Sequence, residues 1–287
     1  LARHFLTGEE LSTVEQLRLL ERAIELKADR HASHTLEGKS VALVFDKPST
    51  RTRVSFETGV HELGGHPLVL REGELQLTRG ESPRDTALVL SRMVQAVGIR
   101  TGPHELVEEL ARHSSIPVIN MLTQEHHPCQ VLADLMTLLE RFGTLEGLKL
   151  AYVGDGNNMT RSLLLGGAVA GVEVAVATPP ELSIPEAPGL EPAEAVRGAH
   201  AVYTDVWVSM GDEEEVERRR SLLAPYRVDA ELVANARDDA IVLHCLPAHP
   251  GEEISEEMLY GERSAVWDQA ENRLHAQKAL LELLLAQ

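Results

Sequence analysis

A chain of 287 residues with 43% hydrophobic and 25% charged side chains is long enough for two domains of ordinary size, each with its own core. A formal net charge of −18 argues against a nucleic-acid partner. No apolar run is long enough to span a bilayer, and there is no signal-peptide pattern. Two cysteines, Cys129 and Cys245, argue against a disulfide framework and for a reducing, cytoplasmic setting.

The first predicted element is an amphipathic helix from Gly8 to about Arg30. Ser12 and Glu15 make a capping-box pair, and Leu17, Leu20, Ile24 and Ala28 keep helical spacing. Val41-Ala42-Leu43-Val44-Phe45 then reads as a buried strand. Lys47-Pro48-Ser49-Thr50-Arg51-Thr52-Arg53 follows, with Ser49 as a helix N-cap and Val54, Phe56 and Val60 as the inner face of the helix. A helix opened this way aims several unpaired backbone N–H groups at whatever lies in front of them. With two hydroxyls and a guanidinium added, the stretch suits a doubly charged oxyanion such as phosphate. Arg51 and Arg53 cannot both serve it, because two residues on a helix diverge by roughly 200°. Arg51 is assigned as the ligand arm and Arg53 as an ion-pair partner.

Leu68-Val69-Leu70 is a second strand, and Arg71 to Arg84 a long polar loop. Ser82-Pro83 reopens a helix by N-cap and N1 chemistry, running to about Gln95. Strand Val97-Gly98-Ile99 delivers Arg100, and a helix over Pro103–Arg112 and a strand over Pro117–Ile119 complete an alternating βα pattern. That pattern implies a parallel sheet with helices on both faces. In His126-His127-Pro128-Cys129-Gln130, Pro128 suits the first helical position, so His127 stands at a second helix mouth with Gln130 in its first turn. The apolar helix that follows can bridge two domains, and Gly143 to Gly147 breaks it.

The second half repeats the layout. Strand Leu148–Val153 leads into Gly154-Asp155-Gly156-Asn157-Asn158-Met159, an apolar helix and strand Val172–Val176. A methionine stands where a dinucleotide-binding turn has its third glycine, so the turn is weak as a cofactor signature, and the two asparagines at the helix start could instead hold a small zwitterion. Strand Ala201–Thr204 delivers Asp205, and the charged run Asp212 to Arg220 is read as a solvated helix face. Strand Ile241–Leu243 ends in His244-Cys245-Leu246-Pro247, and Trp267 to Leu285 is a closing helix with Arg273 in its early turns. His61-Glu62-Leu63-Gly64-Gly65-His66 has one residue too many for a zinc H-E-x-x-H motif, and its glycines break the helix, so no metal is assigned there.

Four separated motifs in order resemble the ornithine carbamoyltransferases: Ser-Thr-Arg-Thr-Arg at Ser49–Arg53, His-Pro-Cys-Gln at His127–Gln130, Asp205-x-x-x-Ser209-Met210-Gly211, and His-Cys-Leu-Pro at His244–Pro247. The resemblance runs along nearly the whole chain. It implies two doubly wound α/β domains, each a central parallel sheet flanked by helices, linked by long interdomain helices. Residues 1–130 would bind carbamoyl phosphate, with the C-terminal helix, about 268–287, packing back on them, and residues 131–267 would bind ornithine.

The implied reaction turns carbamoyl phosphate and L-ornithine into L-citrulline and phosphate. Ser49, Thr50, Arg51 and Thr52 would hold the phosphate with Arg100. Arg100, His127, Arg273 and Thr52 would surround the carbamoyl oxygen, and Gln130 would take its amide. Gln76 would reach the phosphate from a neighbouring subunit of a homotrimer. Asn158, Asp205, Ser209 and Met210 would bind ornithine's amino-acid end. Cys245 and Leu246 are assigned both to carbamoyl phosphate and to ornithine's side-chain end, and the Leu246–Pro247 bond would be cis. Asp205, Cys245, Arg100 and His127 are the expected catalytic residues.

The residues support this chemistry independently. A neutral amine must attack a carbonyl and expel phosphate, so preset donors around two growing anions are the main requirement. No metal or other cofactor is called for. The alternatives are a related enzyme acting on putrescine, acetylornithine or aspartate, and a nicotinamide-dependent dehydrogenase using the Gly154–Asn158 turn.

Overall fold

The structure is a computed structural model that describes residues 2–74, 80–207 and 213–286, with Glu72, Glu213 and Glu214 described by their backbone alone. The chain divides into two compact units, Leu1–Met136 with Glu271–Gln287, and Thr137–Ala270.

In unit 1, α1 (Thr13–Ala28) is followed by β1 (Ser40–Phe45), α2 (Thr50–Glu62), β2 (His66–Arg71), α3 (Pro83–Leu90), β3 (Ala96–Arg100), α4 (His104–His113) and β4 (Val118–Leu122). Helix α5 (Pro128–Phe142) carries the chain into unit 2, where β5 (Lys149–Val153), α6 (Asn158–Ala170), β6 (Glu173–Ala177), α7 (Pro192–Val196), β7 (Ala201–Thr204), α8 (Glu213–Leu223), α9 (Ala230–Val233), β8 (Ile241–His244) and α10 (Glu256–Tyr260) follow. Helix α11 (Val266–Leu285) returns to unit 1.

The described strands form two four-stranded sheets of order β2-β1-β3-β4 and β6-β5-β7-β8, parallel throughout. Central strands covered on both faces need continuous apolar runs, and Val41 to Phe45 is buried at every position. Each order reverses direction once, between β1 and β3 and between β5 and β7. In open α/β sheets that reversal leaves a crevice at the carboxyl ends of the strands, where ligands bind. Residues 46–52 and Arg100 flank the first reversal, and residues 154–158 and Asp205 the second. The cores are separate: Ala42, Val44, Ile99 and Val107 pack in unit 1, and Val153, Val202, Val242 and Ile254 in unit 2.

Some boundaries and faces differ from expectation. Helix α1 begins at Thr13 instead of Gly8, because the Glu10 carboxylate gathers the N–H groups of Leu6, Thr7 and Gly8 into a turn. Its buried face is Gln16, Leu19, Leu20, Ala23 and Leu26, and Leu17 is exposed. In α2 the inner face is Thr52, Ser55, Phe56, Gly59 and Val60, and Val54 points outward, 58% exposed. Helix α3 stops at Leu90 instead of running to Gln95, whose side chain accepts from Ser40 N at the start of β1. The capping box at Ser12 and Glu15 and the Ser82 cap on Asp85 N form as expected.

Candidate active site

In unit 1 four segments bring polar side chains to one place. Ser49 holds the N-cap position of α2 in extended backbone, but its side chain makes no capping hydrogen bond. Thr50 is exposed, Arg51 half-buried and Thr52 buried. Arg53 pairs with Glu57 one turn on at 2.5 Å, the role expected for it. The Thr52 hydroxyl accepts from Arg100 Nη1 at 3.2 Å and from Arg273 Nη2 at 2.6 Å. Arg273 Nη1 also donates to Gln130 Oε1 at 2.6 Å, and Gln130 Nε2 donates to Asp134 Oδ1 at 2.8 Å. The sheet register explains part of this: Phe45 pairs with Arg100, so the chain leaving β1 for α2 rises beside the residue that ends β3.

His127 stands just before Pro128, the first residue of α5, and is buried. Burial pushes its pKa well below the usual imidazole value, and the charges of Arg273 and Arg100 push the same way. At neutral pH it is therefore an uncharged ring beside two guanidiniums. Such a ring can donate a hydrogen bond to a developing oxyanion without adding a third charge. Cys129 is buried, with Sγ donating to Asn120 O at 3.3 Å. Burial pushes its thiol up to about 12, which suits a packing role.

In unit 2 the paired strand ends Thr204 and His244 set Asp205 and Cys245 side by side. Cys245 Sγ donates to Asp205 Oδ1 at 2.9 Å, Val206 N to the same oxygen at 2.8 Å, and Asn157 Nδ2 to Oδ2 at 3.0 Å. Asn157 is also the N-cap of α6, accepting from Met159 N and Thr160 N. The asparagine pair therefore divides its work: Asn157 closes the helix and braces Asp205, while Asn158 lies half-buried in the first turn. Behind the turn, Asp155 pairs with Arg219. Burial raises the Asp155 pKa to about 6 against the pull of Arg219, and Asp205 adds to the rise. The charged run is thus not a purely solvated face, since Arg219 reaches Asp155 and Arg220 reaches Glu252.

Leu246 has φ 60, a region costly for a non-glycine residue, and the Leu246–Pro247 bond is cis as expected. Leu246 N donates to His244 Nδ1 at 2.8 Å, so that nitrogen carries no proton, and His244 Nε2–H donates to Glu253 Oε1 at 3.1 Å. Glu253 is fully buried and also accepts from His249 N at 2.5 Å. No spacing rule singles out a glutamate eight residues after Cys245, so its part in the turn is visible only in three dimensions.

Gln76, Ser209 and Met210 lie outside the described residues. Ligand atoms of Asp205, His244 and Cys245 fall within 4.8 Å of one another, as do those of His249, Glu252 and Glu253. In the first trio both His244 ring nitrogens are already engaged by Leu246 and Glu253, which leaves no lone pair for a metal. In the second, Arg220 holds Glu252. Gly156 owes its place to packing, because a Cβ there would fall 2.3 Å from the Leu182 carbonyl oxygen. That removes a second glycine from the dinucleotide reading of the turn. Of the other histidines, His66 is exposed, His104 meets Thr123 at 3.1 Å and His113 meets Glu109 at 2.9 Å.

Sequence profiles match both units. The one described as "Aspartate/ornithine carbamoyltransferase, carbamoyl-P binding domain" covers residues 3–140, and "Aspartate/ornithine carbamoyltransferase, Asp/Orn binding domain" covers 146–284. The chain belongs to the aspartate/ornithine carbamoyltransferase family. Within that family it is 52% identical to the ornithine carbamoyltransferase of Acidothermus cellulolyticus, across 99% of this chain and 96% of the relative. It is 51% identical to that of Methanoculleus marisnigri, across 99% and 97%. Among solved structures, the ornithine carbamoyltransferase of Pyrococcus furiosus superposes with a TM-score of 0.95 at 44% identity, over 99% of this chain and 97% of that one. The Thermus thermophilus structure gives 0.91 at 44% identity, over 99% of each. The two doubly wound α/β units are thus the carbamoyltransferase fold.

Proposed function

We propose that this protein transfers the carbamoyl group of carbamoyl phosphate to the side-chain amine of L-ornithine, giving L-citrulline and phosphate. The observation that carries the proposal is the joint hold of Arg100 and Arg273 on Thr52, with Gln130 on the second arm of Arg273. Two buried or half-buried guanidiniums, a hydroxyl and a neutral imidazole form a site whose net charge is positive on a chain of charge −18.

In this scheme Ser49, Thr50, Arg51 and Thr52 take the phosphate at the mouth of α2, with Gln76 completing it from a second subunit. Arg100, His127, Arg273 and Thr52 take the carbonyl oxygen, and Gln130 takes the amide. Unit 2 takes ornithine through Asn158, Asp205, Ser209 and Met210 at the amino-acid end, and through Cys245 and Leu246 at the side-chain end, where they also meet carbamoyl phosphate. Residues 1–130 with 268–287 and residues 131–267 are the corresponding domains.

An amine with a lysine-like pKa of about 10.4 arrives as ammonium and must first lose a proton, and in this scheme Asp205 and Cys245 orient it and help it shed that proton. The amine nitrogen then bonds to the carbonyl carbon while the carbon–oxygen bond to phosphate breaks. The second amine proton leaves with the phosphate. Charge grows on the carbonyl oxygen and on the bridging oxygen, and each preset donor typically lowers the barrier by about 3–4 kcal/mol. Juxtaposing two substrates contributes roughly 7–11 kcal/mol more when their geometry is right.

The same proposal includes a homotrimer or a multiple of one, in the cytoplasm. Exposed Leu68, Leu88, Val89 and Met93 on and beside β2 and α3 support self-association, and free thiols at Cys129 and Cys245 suit a reducing compartment. Among the described residues no helix is long and apolar enough to cross a membrane.

The test is citrulline formation from carbamoyl phosphate with ornithine, putrescine, acetylornithine or aspartate offered in turn. Ornithine is expected to have the highest kcat/KM, and a preference for another acceptor overturns the assignment.

A further inference from the structure

We infer that the buried cluster of Lys278, Glu62 and Arg30 is a positioning device that sets α11 against α2 so that Arg273 arrives at Thr52 and Gln130. The inference rests on the carbamoyl transfer proposed above and adds three residues that make no part of it.

Helices α2 and α11 are joined by polar contacts at two levels. Near the start of α2, Arg273 donates to Thr52. At its last residue, Lys278 Nζ donates to Glu62 Oε2 at 2.8 Å. Lys278 is fully buried, a state lysine almost never adopts unless paired. Its ammonium also donates to the Arg30 carbonyl at 2.5 Å, and Arg30 Nε returns to Glu62 Oε1 at 2.8 Å. Burial opposes the Glu62 charge, but the bonds from Arg30 and Lys278 outweigh it and hold the carboxyl below its usual range.

A buried ion pair is a poor source of net stability, because desolvation offsets the attraction. What it supplies is direction. The neighbouring apolar surface of α11 is Leu274, which lies against Gly59 of α2, and apolar contact of this kind is non-directional. Sliding α11 by one residue would shift it by about 1.5 Å and turn it by about 100°. That would separate Lys278 from Glu62 and Arg273 from Thr52 together. Between the two contacts the helices are close: a Cβ on Gly59 would lie 3.2 Å from Lys278 Cγ and 3.4 Å from Leu274 Cδ1. Helix α11 is also tied to α1 by Lys27 on Asn272 and Arg22 on Glu282, so loosening the α2 contact leaves it docked.

Two variants test the idea in the full-length protein. Glu62→Leu with Lys278→Met replaces the pair by apolar groups of similar length, and Gly59→Ala inserts a methyl group between the helices while improving helix propensity. Both are expected to melt within about 3 °C of wild type, yet to lose about tenfold in kcat/KM for carbamoyl phosphate, given that a 1 Å misplacement can cost 10²-fold. The KM for ornithine is expected to stay within about twofold of wild type, because the displaced side chain belongs to the other substrate. Lys278→Met alone should melt well below wild type, leaving Glu62 with one partner fewer. Wild-type kinetics in the double variant overturn the inference. If that variant does not fold, Gly59→Ala decides by the same criterion. Absence of citrulline formation in the wild type is a different result, and it defeats the transfer reaction itself.

Discussion

Cys245 Sγ donates to Asp205 Oδ1 across 2.9 Å, and both residues lie immediately beyond paired strand ends. Among the described residues the carboxylate accepts from three donors: the thiol, Val206 N and Asn157 Nδ2. An amide in its place would turn a donor toward one of them and remove the charge. Asp205→Asn is therefore expected to lower kcat/KM for ornithine by about 10²-fold or more, the usual scale for a lost transition-state contact. Cys245→Ser keeps a donor and should retain more activity than Cys245→Ala. Near-normal turnover in Asp205→Asn rejects a role for this carboxylate.

The two thiols should be chemically distinct. Cys129 is buried, and its thiol is pushed up to about 12, whereas Cys245 is partly accessible. A thiol reagent at pH 8 is expected to modify Cys245 alone in the native protein and both cysteines in urea, because thiolate fraction and access control the rate. Mass spectrometry of the labelled peptides reads this directly. Native labelling of Cys129 at a comparable rate contradicts its packing.

Much of this was legible in the sequence because the chemistry sits where regular patterns end. Val41 to Phe45 announces a strand, Ser49 a helix start and Pro128 another, so the polar residues next to them inherit their positions from backbone rules. Arg53 could be separated from Arg51 by helical angle alone. What was hidden depends on contacts across long separations. Glu253 follows Cys245 in a stretch with no periodic signal, yet it fixes the His244 tautomer. Lys278 and Glu62 are 216 residues apart. Leu17 and Val54 keep helical spacing yet are exposed on α1 and α2, because apolar residues at that spacing do not reveal which of two adjacent stripes meets the core. Asn157 looked equivalent to Asn158 until the start of α6 assigned the cap to the first.

His127 carries a pH signature. Its pKa lies well below the ordinary 6.5 in the folded protein, chiefly through burial and then through Arg273 and Arg100. A depressed folded value means a contribution to stability that is present above pH 6.5 and lost as pH falls toward the folded value. His4, His200 and His275 are lowered too and act with the same sign. Stability measured by denaturant is thus expected to fall between pH 7 and pH 5, and less steeply in His127→Gln. The imidazole nitrogen shifts of His127 should remain those of a neutral ring at pH 6. A charged ring at that pH would remove its proposed part at the carbonyl oxygen.

Asp155 titrates with the opposite sign. Its folded value of about 6 lies above the ordinary aspartate value of 3.8, because burial and the Asp205 charge outweigh the pairing with Arg219. The folded protein then binds the proton more tightly than the unfolded chain, so the stabilising contribution is complete below pH 3.8 and is lost as pH rises through 6. One pKa unit corresponds to 1.36 kcal/mol, so the change between pH 7 and pH 5 is on the order of 1 kcal/mol. Asp155→Asn removes the titration while leaving the histidines in place, so the stability difference between wild type and variant isolates it. Wild type is expected to gain on the variant as pH falls from 7 to 5. Arg219→Gln should move the Asp155 carboxyl band in infrared titration to still higher pH, since the main opposing charge is gone. A band that stays put, or moves to lower pH, would mean that Arg219 does not govern the charge of Asp155 at the turn that carries Asn157 and Asn158.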